Sequence, residues 1–216
     1  MIFVNFKTYQ QGTGEAAVKL AKICRQVAKE TSVKIIPIVQ VVDIFRVGQV
    51  VKIPIWAQHL DDVEFGANTG KFLPEAAKAA GAMGTLLNHS ENKLPIEMIG
   101  EITKRCRSLK LKTLVCAESL REAKQIAQLR PDLIAYEPAE LIGGDVSVAS
   151  ARPAVVRDFV AVLPTLPVII GAGVHSQTDV KKGLKLGVKG FLVASDVVLS
   201  KNPQIELLDL AEGFKT

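Results

Sequence analysis

Glu137 stands at the end of a short apolar run, residues 133–136, and is followed by Pro138 and, five residues later, by the pair Gly143 and Gly144. A strand buried in a parallel sheet reads as a continuous apolar run, so a carboxylate at its C-terminal end lands where the apolar interior meets the loops. That makes it a candidate general base. Pro138 fixes one backbone angle beside it, whereas Gly143 and Gly144 permit conformations other residues resist and let backbone N–H groups approach an anion. A segment stiff at its start and free at its end is built like a hinged lid. A solvated glutamate in a surface connection fits this segment, taken by itself, equally well.

Other residues at apparent strand ends carry complementary chemistry. Asn5 and Lys7 flank Phe6, and strict alternation along a strand would turn the amide and the ammonium to the same side. His89 follows Asn88 and precedes Ser90 and Glu91, which puts an imidazole at a strand end with a carboxylate nearby. His59 and His175, the other two histidines, are expected to be structural or loop residues. No two histidines stand at a metal-chelating spacing, so a metal centre is not expected. Gly171, Ala172 and Gly173 end one late run, and Ala194 and Ser195 end the next, just before a helix-like stretch at 197–199. Small residues ahead of a helix start form a backbone cradle for phosphate, although a plain tight turn also explains Gly-Ala-Gly. One carboxylate, one imidazole, one lysine and a phosphate cradle suit proton abstraction beside a carbonyl in a small phosphorylated metabolite.

These residues need a scaffold that brings distant strand ends together. Short apolar runs at 2–5, 34–38, 55–58, 85–88, 113–116, 133–136, 168–170 and 190–193 read as eight strands. Amphipathic stretches at 15–30, 42–50, 74–80, 95–109, 120–129, 151–162, 178–186 and 203–214 read as the helices between them. Pro74, Pro95 and Pro203 suit first helical turns, Gly81 and Gly187 suit C-terminal caps, and Ser176 with Asp179 makes a helix-start signal. With no linker or low-complexity tract dividing the 216 residues, the alternation predicts an α/β fold in one domain, 1–216. A closed (β/α)8 barrel is the leading arrangement and a doubly wound open sheet the competing one.

Composition narrows the function class. The 48% hydrophobic content with only 5% aromatic residues fits an aliphatic core between a parallel sheet and helices. A formal charge of +5 mildly favours anionic ligands. The basic run from Lys104 to Lys112 reads as a solvated helix end and not as a nucleic-acid patch. Cys24, Cys106 and Cys116 are odd in number and lack paired spacing, which argues against a disulfide framework or zinc site and for a reducing compartment. The first residues enter a strand directly, and no apolar run reaches membrane-spanning length, so a soluble cytoplasmic protein without membrane or nucleic-acid partners is expected.

Five motifs together carry a family resemblance that none carries singly. Asn5 and Lys7; Asn88-His89-Ser90-Glu91; Val115-Cys116-Ala117-Glu118; Tyr136 through Gly143; and Gly171-Ala172-Gly173, in this order and spacing, resemble triosephosphate isomerases of the archaeal type over essentially the whole chain. The resemblance implies a TIM barrel that interconverts glyceraldehyde 3-phosphate and dihydroxyacetone phosphate in glycolysis and gluconeogenesis, without cofactor or metal. It implies Glu137 as the proton-transferring base, His89 as a neutral hydrogen-bond donor to the substrate oxygens, Lys7 as the stabiliser of the enediolate, Asn5 as a positioning residue and Glu91 as a supporting carboxylate near Lys7. Gly143, Gly144, Gly171, Gly173, Ala194 and Ser195 would hold the phosphate. The segment around Gln58, His59 and Gly66 to Gly70 resembles the family's intersubunit loop and implies a homodimer, with a homotetramer as the alternative.

Three positions depart from the family pattern: Asp145 stands where the lid has glycine, Ile170 where archaeal relatives have asparagine, and Ala139 where the lid has its second proline. Two weaker readings compete, another phosphosugar isomerase or epimerase and a non-catalytic phosphometabolite-binding protein. The joint presence of Asn5, Lys7, His89 and Glu137 argues against the latter.

Overall fold

A computed structural model describes residues 1–138 and 147–215. Eight parallel strands form a closed barrel in which each strand pairs with the next in sequence and β8 closes on β1. They are β1 (Ile2–Asn5), β2 (Ile35–Val39), β3 (Trp56–Ala57), β4 (Gly84–Leu87), β5 (Lys112–Ala117), β6 (Leu133–Tyr136), β7 (Val168–Gly171) and β8 (Gly190–Val193). The helices are α1 (Glu15–Thr31), α2 (Ile44–Val50), α3 (Pro74–Ala79), α4 (Ile96–Ser108), α5 (Leu120–Gln128), α6 (Val148–Ala151), α7 (Pro153–Val162), α8 (Gln177–Lys185), α9 (Ser195–Val198) and α10 (Pro203–Glu212). The open-sheet alternative is thereby excluded.

Alternation along the strands sorts the apolar residues into two cores. Phe3, Ile36, Ile38, Trp56, Leu86, Leu114, Leu133, Ala135, Ile169 and Leu192 fill the barrel, with Phe3 edge-on to Trp56 at a centroid separation of 5.1 Å. The alternate residues, among them Ile2, Val4, Ile35, Ile134 and Ile170, pack outward against the helices. Full burial of a Leu, Ile or Phe side chain is worth about 1.5–3 kcal/mol, so these two layers supply the main drive to fold. Ile170 therefore faces α8 rather than the barrel mouth, and its departure from the family pattern lies on the outer layer.

Local signals account for most boundaries. Pro74 and Pro203 occupy first helical positions, and the Ser119 and Ser176 hydroxyls accept the Glu122 and Asp179 N–H groups as N-caps. Gly81 and Gly187 take φ of 107° and 96° after their helices. Pro95, expected inside a helix, is instead the residue just before α4. The helix expected at 151–162 is α7, which starts two residues later, and a short α6 that was not expected precedes it: α6 ends at Ala151, and Arg152 adopts φ of −136° because the Pro153 ring disfavours helical geometry in the residue before it. β3 is shorter than expected; just beyond it the Gln58 N–H still donates to the Val39 carbonyl at 3.1 Å, and its side chain donates to the Lys7 carbonyl at 2.8 Å.

The basic run is engaged by neighbours. Arg105 reaches Glu64 at 2.8 Å and Glu75 at 2.5 Å, Lys112 pairs with Asp132 at 2.6 Å, and Lys104 lies 3.6 Å from Glu101. Arg107 donates to the Leu129 and Arg130 carbonyls. No helix among the described residues is long and apolar enough to cross a membrane.

Candidate active site

Glu137 continues the inward-facing series Leu133 and Ala135 one step beyond β6, and its N–H donates to the Ala117 carbonyl at 3.0 Å. The carboxylate is 5% exposed, and its Oε2 has no hydrogen-bond partner among the described residues. An orphaned buried carboxylate oxygen is costly, so its retention at a cleft is the kind of feature that substrate contact relieves. Room for it comes from the neighbouring strand: a Cβ on Gly171 would sit 2.5 Å from Glu137 Oε1. Cys116 also borders this carboxylate, and burial first, then the Glu137 charge, pushes its thiol well above the ordinary range.

His89 is 8% exposed and faces Glu137, with Nε2 3.9 Å from Oε2. Its Nδ1 lies 3.2 Å from the Glu91 N–H and accepts from it. That bond uses the Nδ1 lone pair, which assigns the neutral ring a proton on Nε2, directed toward the cleft. Behind the loop, Asn88 takes a φ of 57°, donates to the Cys116 carbonyl at 2.9 Å and to Glu122 Oε1 at 2.8 Å, and accepts from the Leu94 N–H. Burial pushes the Glu122 carboxyl up, but hydrogen bonds from Lys93, the Glu118 N–H and Asn88 outweigh it and hold the carboxyl below its usual range. Asn88 thus braces the histidine loop from outside the cleft.

Lys7 reaches the same cleft by a turn and not by alternation. It adopts φ of 46°, and its N–H donates to Asn5 Oδ1 at 3.0 Å. The short polar side chain of Asn5 closes that turn much as a backbone carbonyl would. Lys7 Nζ then pairs with Glu91 Oε1 at 2.6 Å, which connects the β1 end to the histidine loop.

The opposite wall is built mainly from backbone. Ala172 and Gly173 take φ of 87° and 65° in succession, and Ser195 opens α9. Together with Asn5, Lys7, His89 and Glu137 they line a cleft of about 260 Å³, which suits a ligand of a few heavy atoms. Gly171 contributes through its closeness to Glu137 and is absent from that lining. Gly143, Gly144, Ala139 and Asp145 lie outside the described residues. Ser147 caps α6, and the Val148 N–H donates to the Ala172 carbonyl at 3.2 Å.

The model of the triosephosphate isomerase family matches residues 1–212 of this chain. The chain belongs to the triosephosphate isomerase family. Triosephosphate isomerases of Methanobacterium bryantii and Methanothermus fervidus are each 42% identical to it over 214 residues, covering 97% of this chain and 95% and 96% of those proteins. That of Saccharolobus solfataricus is 42% identical over 207 residues, covering 94% of this chain and 91% of that protein.

Within the family fold, two residues expected to be merely structural line the clefts. His175 borders the main one together with Asp196, and its Nδ1 contacts Asp196 Oδ2. His59 lines a second cavity of about 220 Å³ beside Lys7 and Gln58, and lies 3.6 Å from Asp61. Their sole sequence signal was position after a strand end, which does not separate a lining residue from a loop residue.

Proposed function

We propose that this chain interconverts glyceraldehyde 3-phosphate and dihydroxyacetone phosphate, with Glu137 as the base that carries a proton between the two carbons flanking the reacting bond. The observation that carries this reading is the buried Glu137 carboxylate with an unpartnered oxygen, facing the Nε2 of His89 across a small cleft. Glu137 removes a proton from the carbon beside the carbonyl, and the electron pair moves into an enediolate. His89 gives its Nε2 proton to the carbonyl oxygen and takes back the proton of the neighbouring hydroxyl, Lys7 places a positive charge beside the developing anion, and Glu137 returns its proton to the neighbouring carbon. The step is an internal redistribution of protons and electrons with no net oxidation, so these side chains supply all the chemistry it needs without cofactor or metal. Asn5 positions Lys7, and Glu91 holds its ammonium in reach.

Gly173, Ala194 and Ser195, with Gly143 and Gly144 of the lid, hold the phosphate. Gly171, expected in this role, instead makes room for Glu137. Closing the lid over the enediolate would exclude the water that otherwise permits loss of phosphate. The segment around Gln58, His59 and Gly66 to Gly70 would meet a second copy: Phe65 beside it is 77% exposed, and the 220 Å³ cavity beside Lys7, lined by Gln58 and His59, would receive the neighbour's loop. We place the enzyme in the cytoplasm as a homodimer, with a homotetramer as the alternative, acting in glycolysis and gluconeogenesis.

A coupled assay on glyceraldehyde 3-phosphate tests the activity, with Glu137→Asp and His89→Ala proteins of verified fold alongside. Turnover in the parent that collapses in both variants is expected. A folded parent without turnover would reverse the reading in favour of a binding protein.

A further inference from the structure

His175 and Asp196 belong to different loops and meet at the cleft. His175 follows β7, Asp196 lies in the first turn of α9 after β8, and the imidazole Nδ1 touches Asp196 Oδ2. Both side chains are about one third exposed, 34% and 36%, and both line the cleft beside Gly173 and Ser195. The proton transfer uses neither.

A carboxylate at this place is unfavourable by itself. It stands beside the residues that receive a phosphate dianion, and a single negative charge ~8 Å from a dianion weakens its binding by roughly five- to thirtyfold for effective dielectric constants between about 80 and about 40. Lys7 is paired with Glu91 at 2.6 Å, so the group placed to compensate Asp196 is the imidazole in contact with it. The charged and titratable groups around that ring, among the described residues, are Asp196, Asp179 whose Oδ2 accepts the His175 N–H at 3.3 Å, and Glu206 in the adjoining cleft; Lys7, His89 and Glu137 stand elsewhere around the main cleft. Asp196 presents an oxygen to the ring itself and Asp179 to the backbone N–H behind it, so a charge on the imidazole faces carboxylates on the side away from the phosphate residues or beside them.

We propose that His175 is a specificity-determining residue that acts through Asp196, as the counter-ion that keeps the cleft receptive to a dianion. Resting on the triose phosphate reading, the inference assigns the pair a neutral sum and the lone Asp196 a repulsive one. Substrate affinity then depends on the sum of the two charges and not on either side chain alone.

The test is a double-mutant cycle of His175→Asn, Asp196→Asn and the double variant, read by kcat and KM for glyceraldehyde 3-phosphate and by competitive inhibition with sulfate, which stays a dianion at working pH. His175→Asn keeps a hydrogen-bond donor but removes the charge, and is expected to raise KM and the sulfate inhibition constant roughly tenfold with little change in kcat. Asp196→Asn should tighten sulfate by up to about tenfold, and the double variant should return to within about threefold of the parent. A double variant as weak as His175→Asn, or a loss in kcat at unchanged KM, would overturn the inference by reducing the pair to a structural tie. His175→Gln repeats the cycle if the asparagine protein fails to fold. An active parent that sulfate does not inhibit defeats the inference alone, whereas an inactive folded parent defeats the underlying reading as well.

Discussion

The two walls of the cleft are made differently. On one, Asn5, Lys7, His89, Glu91 and Glu137 present side chains whose positions are fixed by named contacts: the Asn5 turn, the Lys7 to Glu91 pair and the Glu91 N–H on His89 Nδ1. On the other, Ala172 and Gly173 present backbone in positive-φ conformations, and Ser195 opens a four-residue helix. The first wall is specified by side-chain chemistry and the second by main-chain shape. Substitutions should therefore alter the chemical step on the first and the affinity or packing on the second.

The largest expected effect is at Glu137. Glu137→Gln keeps the volume and removes the base, and should lower kcat by about 10³- to 10⁴-fold at little cost in melting temperature, as stopped-time assays and calorimetry would show. His89→Gln, which alters the donor facing the enediolate, should lower kcat by about 10²- to 10³-fold with a smaller change in KM. A loss confined to KM in either variant would assign them to binding.

Gly171→Ala blurs the contrast between the walls, because its new methyl would sit 2.5 Å from Glu137 Oε1. The base must shift, so kcat should drop about tenfold or more while stability falls by about 1–3 kcal/mol in urea unfolding. An unchanged kcat would mean that Gly171 does not set the position of Glu137.

Legibility followed the same division. Glu137, His89 and Lys7 could be read from the sequence because carboxylate, imidazole and ammonium groups are few and stood at strand ends. Strands β1, β6 and β8 matched their apolar runs, since burial on both faces leaves an uninterrupted apolar string. The cause of the Lys7 orientation was not readable: alternation predicted the right side, but the chain gets there by a left-handed residue held by Asn5 Oδ1. The start of α7 was signalled by Pro153 and overlooked in favour of apolar periodicity. His175 was expected to be a structural or loop residue and Asp196 was given no role, because their meaning lies in a contact across 21 residues.

A smaller effect is expected at the brace behind the histidine loop. The Glu122 carboxyl sits below its ordinary value of 4.5 in the folded chain, so it contributes stability above that pH and loses it as the pH falls through the lower folded value. Glu122→Gln should flatten the acid limb of a stability profile below about pH 4.5 and leave the neutral limb nearly parallel to the parent. A steeper acid limb would contradict the assignment.

The smallest effect concerns the thiols. Burial pushes Cys24 and Cys106 up to about 12 and Cys116 well above its ordinary value, so all three should react slowly with iodoacetamide at pH 8 in the folded protein and rapidly once unfolded.

The central claim is that Glu137 moves the proton through an enediolate, and turnover in deuterium oxide tests it most directly. The parent should release product carrying solvent deuterium on the carbon that receives the proton, seen by proton NMR, and Glu137→Gln should abolish that incorporation together with turnover. Full-rate isomerisation without any solvent deuterium in the product, or undiminished incorporation by Glu137→Gln, would contradict it.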